Sequence, residues 1–194
     1  MNPLAHEELL SRLDHFSLAP KVIVDISGNS EGSERSLSKR FPKSRLILTG
    51  RSEKSEGGTR FALSSLLGRR WRIEHLACAV DQIPLEDRSV DLIVAHDWSL
   101  GVDALDAALR EFHRVMVSGG LFLCTAPSVL SAPGFADIHD FGSALMRAGF
   151  VEPVLDIDRF AGEGGEVIHV AAFAGADRHQ GGEVVVSLSK ISRR

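Results

Sequence analysis

The sequence predicts one α/β domain of Rossmann-like, doubly wound type, with a mostly parallel seven-stranded sheet and an antiparallel C-terminal edge hairpin. Three observations carry this. Short apolar runs at residues 22–26, 45–49, 73–80, 89–95 and 121–125 read as strands, the first too apolar on both faces for a half-exposed one, as a strand buried inside a parallel sheet is. Stretches with helical spacing of apolar residues separate most of them, giving a β-α alternation. Beyond Gly149 the alternation stops, and three runs at 154–157, 167–173 and 183–188 follow one another across Gly-rich turns, a hairpin pattern.

Each element has a local reason. Leu4, Leu9, Leu10, Leu13 and Phe16 share one helical face, so residues 3–16 read as an amphipathic helix ended by Ala19-Pro20. Ser30 or Ser33 can cap a second helix that turns Leu37 and Phe41 inward and stops at Pro42. Residues 51–58 are polar and Gly-rich, a loop by composition, and Phe61, Leu63, Leu66 and Leu67 suggest a further helix before Arg69-Arg70. Residues 103–116 give the clearest helix, with Leu105, Leu109, Phe112 and Met116 on one face. Gly119-Gly120 reads as a tight turn into the strand at 121–125. Residues 137–148 are helical, with Phe141, Leu145 and Met146 inward and Gly149 as the C-terminal stop.

Composition bounds the function. A chain of 194 residues suits one medium domain, read as a short N-terminal helix at 1–20 and a single domain at 21–194. The net charge of −4 gives no reason to expect nucleic acid as a partner. Residues 1–72 hold 13 Lys/Arg against 8 Asp/Glu, but a basic helix surface reads first as a solvated face. No apolar run approaches the ~18–20 residues that span a bilayer. The first 20 residues lack the apolar core of a signal peptide, so a cytoplasmic, membrane-free protein is expected. Cys78 and Cys124 sit in apolar runs without metal-ligand spacing and read as buried reduced thiols; no metal site is expected. The chain has no tyrosine.

The first β-α turn, Lys21-Val-Ile-Val-Asp-Ile-Ser-Gly-Asn-Ser-Glu-Gly32, is where an open α/β sheet holds a nucleotide-like ligand. His96-Asp97, at the end of the fourth strand, is the candidate catalytic pair, with His139-Asp140 as a second polar pair; the competing reading is solvated loop side chains. Trp98 reads equally as a ligand cover or a core residue. His113 reads as a surface residue, and Glu86-Asp87 as a solvated turn.

Two longer segments carry a resemblance. Asp81-Gln-Ile-Pro-Leu-Glu-Asp-Arg-Ser-Val-Asp-Leu-Ile-Val94 resembles the D-x-x-x-L-P-x-x-D-x-S-F-D-L-V segment of class I S-adenosylmethionine-dependent methyltransferases, of the methyltransferase type 11 kind. Arg110-Glu-Phe-His-Arg-Val-Met-Val-Ser-Gly-Gly-Leu-Phe-Leu123 is similar to that family's R-E-x-x-R-V-L-K-P-G-G helix, turn and strand, with Ser118 in place of the proline. Residues 137–156 and the closing segments resemble a narrower branch that holds the malonyl-acyl-carrier-protein O-methyltransferase of biotin synthesis and its relative, a mitochondrial respiratory-chain assembly factor.

That resemblance implies a cofactor site at Asp25, Ser27, Gly28, Asn29, Gly50, Arg51, Asp81, Gln82 and His96. Matching Asp25 to the family's strand-end Asp puts Ser27, Asn29 and Glu31 where glycines let backbone N–H groups approach the cofactor. Glu31 sets a carboxylate near the cofactor's own. Gly50 stands where an acidic residue would accept bonds from the ribose hydroxyls. Asp81 keeps the position beside the adenine. The branch's substrate lid is shortened here to residues 158–165, and its tyrosines are missing. The expectation is a methyltransferase-like pseudoenzyme with weak or absent S-adenosylmethionine binding, acting as a binding or regulatory partner of another protein or an active paralogue. The alternative is an active methyltransferase on a small-molecule or acyl-carrier-bound carboxylate in the crevice.

Overall fold

The computed structural model describes residues 3–26, 31–50, 73–96, 98, 100–128, 137–160 and 165–176. Helix α1 (Pro3–Arg12) runs into a 3-10 turn (Leu13–His15), as the apolar spacing predicts. Strand β1 (Val22–Asp25) leads to α2 (Glu31–Arg40), and β2 (Arg45–Gly50) and β3 (Ile73–Ala77) follow. The chain continues through β4 (Val90–Ala95), α3 (Val102–Val115), β5 (Met116–Pro127), α4 (Ile138–Ala148), β6 (Phe150–Phe160) and β7 (Gly165–Ala174). The helix suggested near residues 61–67 and the strand at 183–188 lie outside the described residues.

The seven strands form one sheet in the order β3-β2-β1-β4-β5-β7-β6. Strands β1 to β5 pair in parallel, and β7 runs antiparallel to both β5 and β6. The predicted parallel sheet with an antiparallel edge is therefore the observed one.

Side-chain alternation along each strand builds two cores. Ile23, Leu46, Leu92, Val94, Leu121 and Leu123 face α1 and α2, where Leu9, Leu13 and Leu37 cover them. Val24, Ile47, Ile93, Phe122 and Cys124 face α3 and α4, where Leu105, Phe112, Phe141 and Leu145 pack. Helix α4 is capped as its sequence asks. The Asp137 carboxylate accepts from the N–H groups of His139 and Asp140, and Gly149 closes the helix at φ +101°.

Several boundaries differ from expectation. Strand β5 begins at Met116, ahead of Gly119-Gly120. Its ladder with β4 shifts between Val90 and Leu92, so the glycines form an irregularity inside a strand rather than a turn before it. Gly119 has φ +78°, and a Cβ on Gly120 would stand 3.0 Å from the Val117 carbonyl oxygen. Ser33 lies within α2 rather than capping it, with its side chain buried. Met146 is 68% exposed, on the outer side of α4. Strand β6 begins immediately after the Gly149 stop and runs 11 residues, well beyond the predicted 154–157.

Candidate functional site

Parallel pairing brings the carboxyl ends of β1, β2, β3 and β4 to one edge of the sheet. Asp25 pairs in register with Leu48 of β2 and Val94 of β4, and Gly50 pairs with Ala77 of β3. Gly50 and His96 each stand two residues beyond a partner of Asp25, so the strand-end residues read from sequence do converge. Ser27, Gly28, Asn29, Arg51 and Asp97 lie outside the described residues.

Alternation sends the Asp25 side chain to the α2 side, beside Ile23 in sequence parity, where it is 1% exposed. His96 points to the same side and is 5% exposed, with its Nε2 3.3 Å from Ser33 Oγ. The expectation of a solvated strand-end histidine is therefore corrected: His96 belongs to a buried polar link between β4 and α2. Its partner lies 63 positions earlier, which sequence spacing cannot reveal. Thr49, also buried, donates to the Asp25 carbonyl at 3.3 Å and ties the ends of β1 and β2 together.

Asp81 and Gln82 are exposed on a short turn after β3, closed by the Gln82 N–H donating to the Ala79 carbonyl at 3.2 Å. Downstream, Ile83 is 2% exposed and held from α3. The Glu111 carboxylate accepts from Ile83 N–H at 2.7 Å. Arg114 Nη2 donates to the Ile83 carbonyl at 2.9 Å, and Nη1 donates to the Leu85 carbonyl at 3.1 Å and to Asp87. The bond to Arg114 holds the Glu111 carboxyl below its usual range, and the paired Glu111 and Asp87 carboxylates raise Arg114. Asp87, read as a solvated tip, is thus exposed but ion-paired. Asp91, in the same segment, accepts from the N–H groups of Lys21 and Val22 at 2.9 and 2.8 Å and so fixes the start of β1.

Other candidates resolve differently. Trp98 is 6% exposed and packs on Phe112, Phe122 and Phe141 at ring-centroid distances of 5.1, 5.9 and 5.9 Å, so it is core. His113 is half-buried rather than on the surface, its ring edge-on to Phe150 and against Gly149, and burial lowers its pKa. His139 and Asp140 are exposed at the start of α4. Cys124 is buried as its apolar run suggests, whereas Cys78 is half-buried, and burial raises the pKa of both thiols. Among the described residues no group of three or more His, Cys, Asp or Glu is placed to hold a metal ion, and no helix is long and apolar enough to cross a membrane.

A family profile described as a methyltransferase domain matches residues 54–124, the span that holds the Asp81 turn and the α3 clamp. A malonyl-[acyl-carrier protein] O-methyltransferase from Methylovorus sp. is 31% identical over 177 residues, which is 79% of this chain and 58% of that protein. The strand order and this sequence match agree. Both resemble the class I S-adenosylmethionine-dependent methyltransferases. It spans between 55% and 62% of the length of the first four curated relatives it matches. Among solved structures, the Haemonchus contortus phosphoethanolamine N-methyltransferase 2 bound to phosphomonomethylethanolamine and S-adenosylhomocysteine aligns with TM-score 0.67 at 12% identity, covering 88% of this chain and 53% of that one. A methyltransferase in complex with the Haloferax volcanii Trm112 methyltransferase activator aligns with TM-score 0.65 at 16% identity, covering 91% and 90%. At these identities the structural likeness speaks to the fold.

The residues fit such a cofactor in part. The Asp81 turn offers an exposed carboxylate on the adenine side expected from the family. At the end of β2, Gly50 offers no side chain where ribose hydroxyls would seek an acceptor.

Proposed function

We propose that this chain is a S-adenosylmethionine-dependent methyltransferase whose acceptor is a carboxylate on a small molecule or an acyl carrier. The observation that carries this reading is the 31% identity to a malonyl-[acyl-carrier protein] O-methyltransferase across 79% of the chain. The pseudoenzyme expectation has less behind it than this alternative.

When bound, S-adenosylmethionine supplies an electrophilic methyl group on a sulfonium. An ionised carboxylate acceptor is already a nucleophile, so the chain need not remove a proton. Its work is to hold donor and acceptor in line and exclude water. Asp81 and Gln82 would bound the adenine side. Asp25 and the turn that follows it would bound the methionine side. His96, linked to Ser33, would brace the end of β4 against α2 rather than exchange protons with substrate.

One observation favours a second reading in which cofactor binding is weak and the chain serves as a binding partner: Gly50 at the end of β2. Calorimetric titration with S-adenosylmethionine and S-adenosylhomocysteine, beside a methyl-transfer assay on malonyl-acyl-carrier protein, separates the two. Micromolar binding with transfer supports the enzyme. Binding no tighter than millimolar, with no transfer, refutes it and leaves the second reading.

A further inference from the structure

Glu111 and Arg114 lie on α3, well along the chain from any residue expected to touch a cofactor, yet between them they grip the loop that carries Asp81. The turn at 79–82 is thin: one N–H to carbonyl bond at 3.2 Å and an isolated pairing of Ala79 with Gln82 hold it. Such a turn keeps its shape only if its downstream limb is fixed. Here both backbone groups of Ile83 are taken by α3 side chains. Its N–H donates to Glu111 Oε1 at 2.7 Å, and its carbonyl accepts from Arg114 Nη2 at 2.9 Å.

The two side chains also brace each other. Arg114 Nε and Nη2 donate to Glu111 Oε2 and Oε1 at 2.8 and 2.7 Å, a two-pronged pairing that fixes both planes. The remaining Arg114 donor, Nη1, reaches the Leu85 carbonyl at 3.1 Å and the Asp87 carboxylate. Each guanidinium arm is therefore committed to a loop group, and Ile83 is sunk in the core between them. A fixed scaffold of this kind supports a binding residue by denying its loop other conformations.

We propose that Glu111 and Arg114 are positioning residues for the nucleoside end of the cofactor: they pre-set the 79–82 turn so that Asp81 is already in place when ligand arrives. This rests on the methyltransferase reading above and extends it to two residues that touch no ligand.

The test compares the full chain with Glu111→Gln, Glu111→Ala and Arg114→Ala, using S-adenosylhomocysteine and 5′-methylthioadenosine, which shares the nucleoside but lacks the amino-acid end. Backbone amide exchange of residues 79–87 is measured without ligand. Glu111→Gln keeps an acceptor for the Ile83 N–H and is expected to change binding least. Glu111→Ala and Arg114→Ala are expected to speed exchange of the loop and to raise both dissociation constants by about tenfold or more, the scale of one lost charge-assisted bond.

An unchanged dissociation constant for both ligands, with faster exchange, makes the pair a stabilising element only and overturns the proposal. Unchanged exchange overturns it too. Failure of the unaltered chain to bind either ligand removes the methyltransferase reading itself. Tight binding that the variants leave intact removes only the role given to Glu111 and Arg114. Should Arg114→Ala fail to fold, Arg114→Lys retains one donor and is expected to fall between Glu111→Gln and Glu111→Ala.

Discussion

Replacing Gly50 by aspartate tests the reading of the crevice directly. Gly50 ends β2 in register with Ala77, and it follows Leu46 and Leu48 in strand parity, so a side chain there projects toward the face that also receives Asp25. A carboxylate at that strand end can accept from two ribose hydroxyls. Each charge-assisted bond is worth about 1.5–3 kcal/mol when fully formed. Desolvating the new carboxylate offsets part of this, leaving roughly 1.5–3 kcal/mol in total, or about 10- to 100-fold in dissociation constant. Thermal unfolding with saturating S-adenosylhomocysteine reads this gain. A ligand at a hundredfold excess over its dissociation constant stabilises the native state by about 2.7 kcal/mol. For a domain of this size each kcal/mol moves the midpoint by about 2–4 °C. Gly50→Asp should therefore add about 3–12 °C to the ligand-induced shift of the unaltered chain, and titration should show the tighter constant. An equal or smaller shift in the variant, with the fold intact, would refute the idea that Gly50 leaves the ribose without its partner.

Three further outcomes follow from the described contacts. Trp98→Ala removes the ring on which Phe112, Phe122 and Phe141 converge and should cost about 3–5 kcal/mol by chemical denaturation. Gly149→Ala combines a residue at φ +101° with a Cβ only 2.8 Å from the His113 ring, and should cost about 1–3 kcal/mol or more by the same measure. Burial depresses the folded pKa of His113 below 6.5, so its neutral form stabilises the fold above that value and the contribution is lost as pH falls through the depressed pKa; His113→Gln should flatten the fall in stability between about pH 7 and pH 5.

The architecture was legible because its signals are local. The periodicity of Leu105, Leu109 and Phe112 gave α3, and Gly149 marked the C-terminal end of α4, whereas Asp137, read as the first helical residue, is the cap before it. The β-run at 90–95 gave a central strand. What escaped was set at long range. Ser33 reads as a cap until His96 arrives from the end of β4 to meet its hydroxyl. Arg12 gives no sign in the sequence that it ties α1 to Asp156 and Asp158 of β6, at 2.8 and 3.3 Å and more than 140 residues away. The length of β6 was hidden for a different reason. Glu152 at φ +50° and Pro153 look like strand breakers, and they form an irregularity in the β6–β7 ladder that the pairing continues past.

The clamp and the crevice differ in what their residues cost to lose. Glu111 and Asp137 each satisfy a buried or helix-end backbone N–H, so replacing either leaves that N–H without its partner in the folded state itself. Gly50 carries no such burden, since the strand closes its ladder with Ala77 whatever the side chain. Departures from the family pattern at such a position are silent in the stability of the empty protein and appear only when ligand binds. A fold that matches the family throughout its frame is therefore compatible with either a full or a reduced affinity at the edge. The frame argues for ancestry. Titration of the crevice argues for activity, and the two measurements answer different questions.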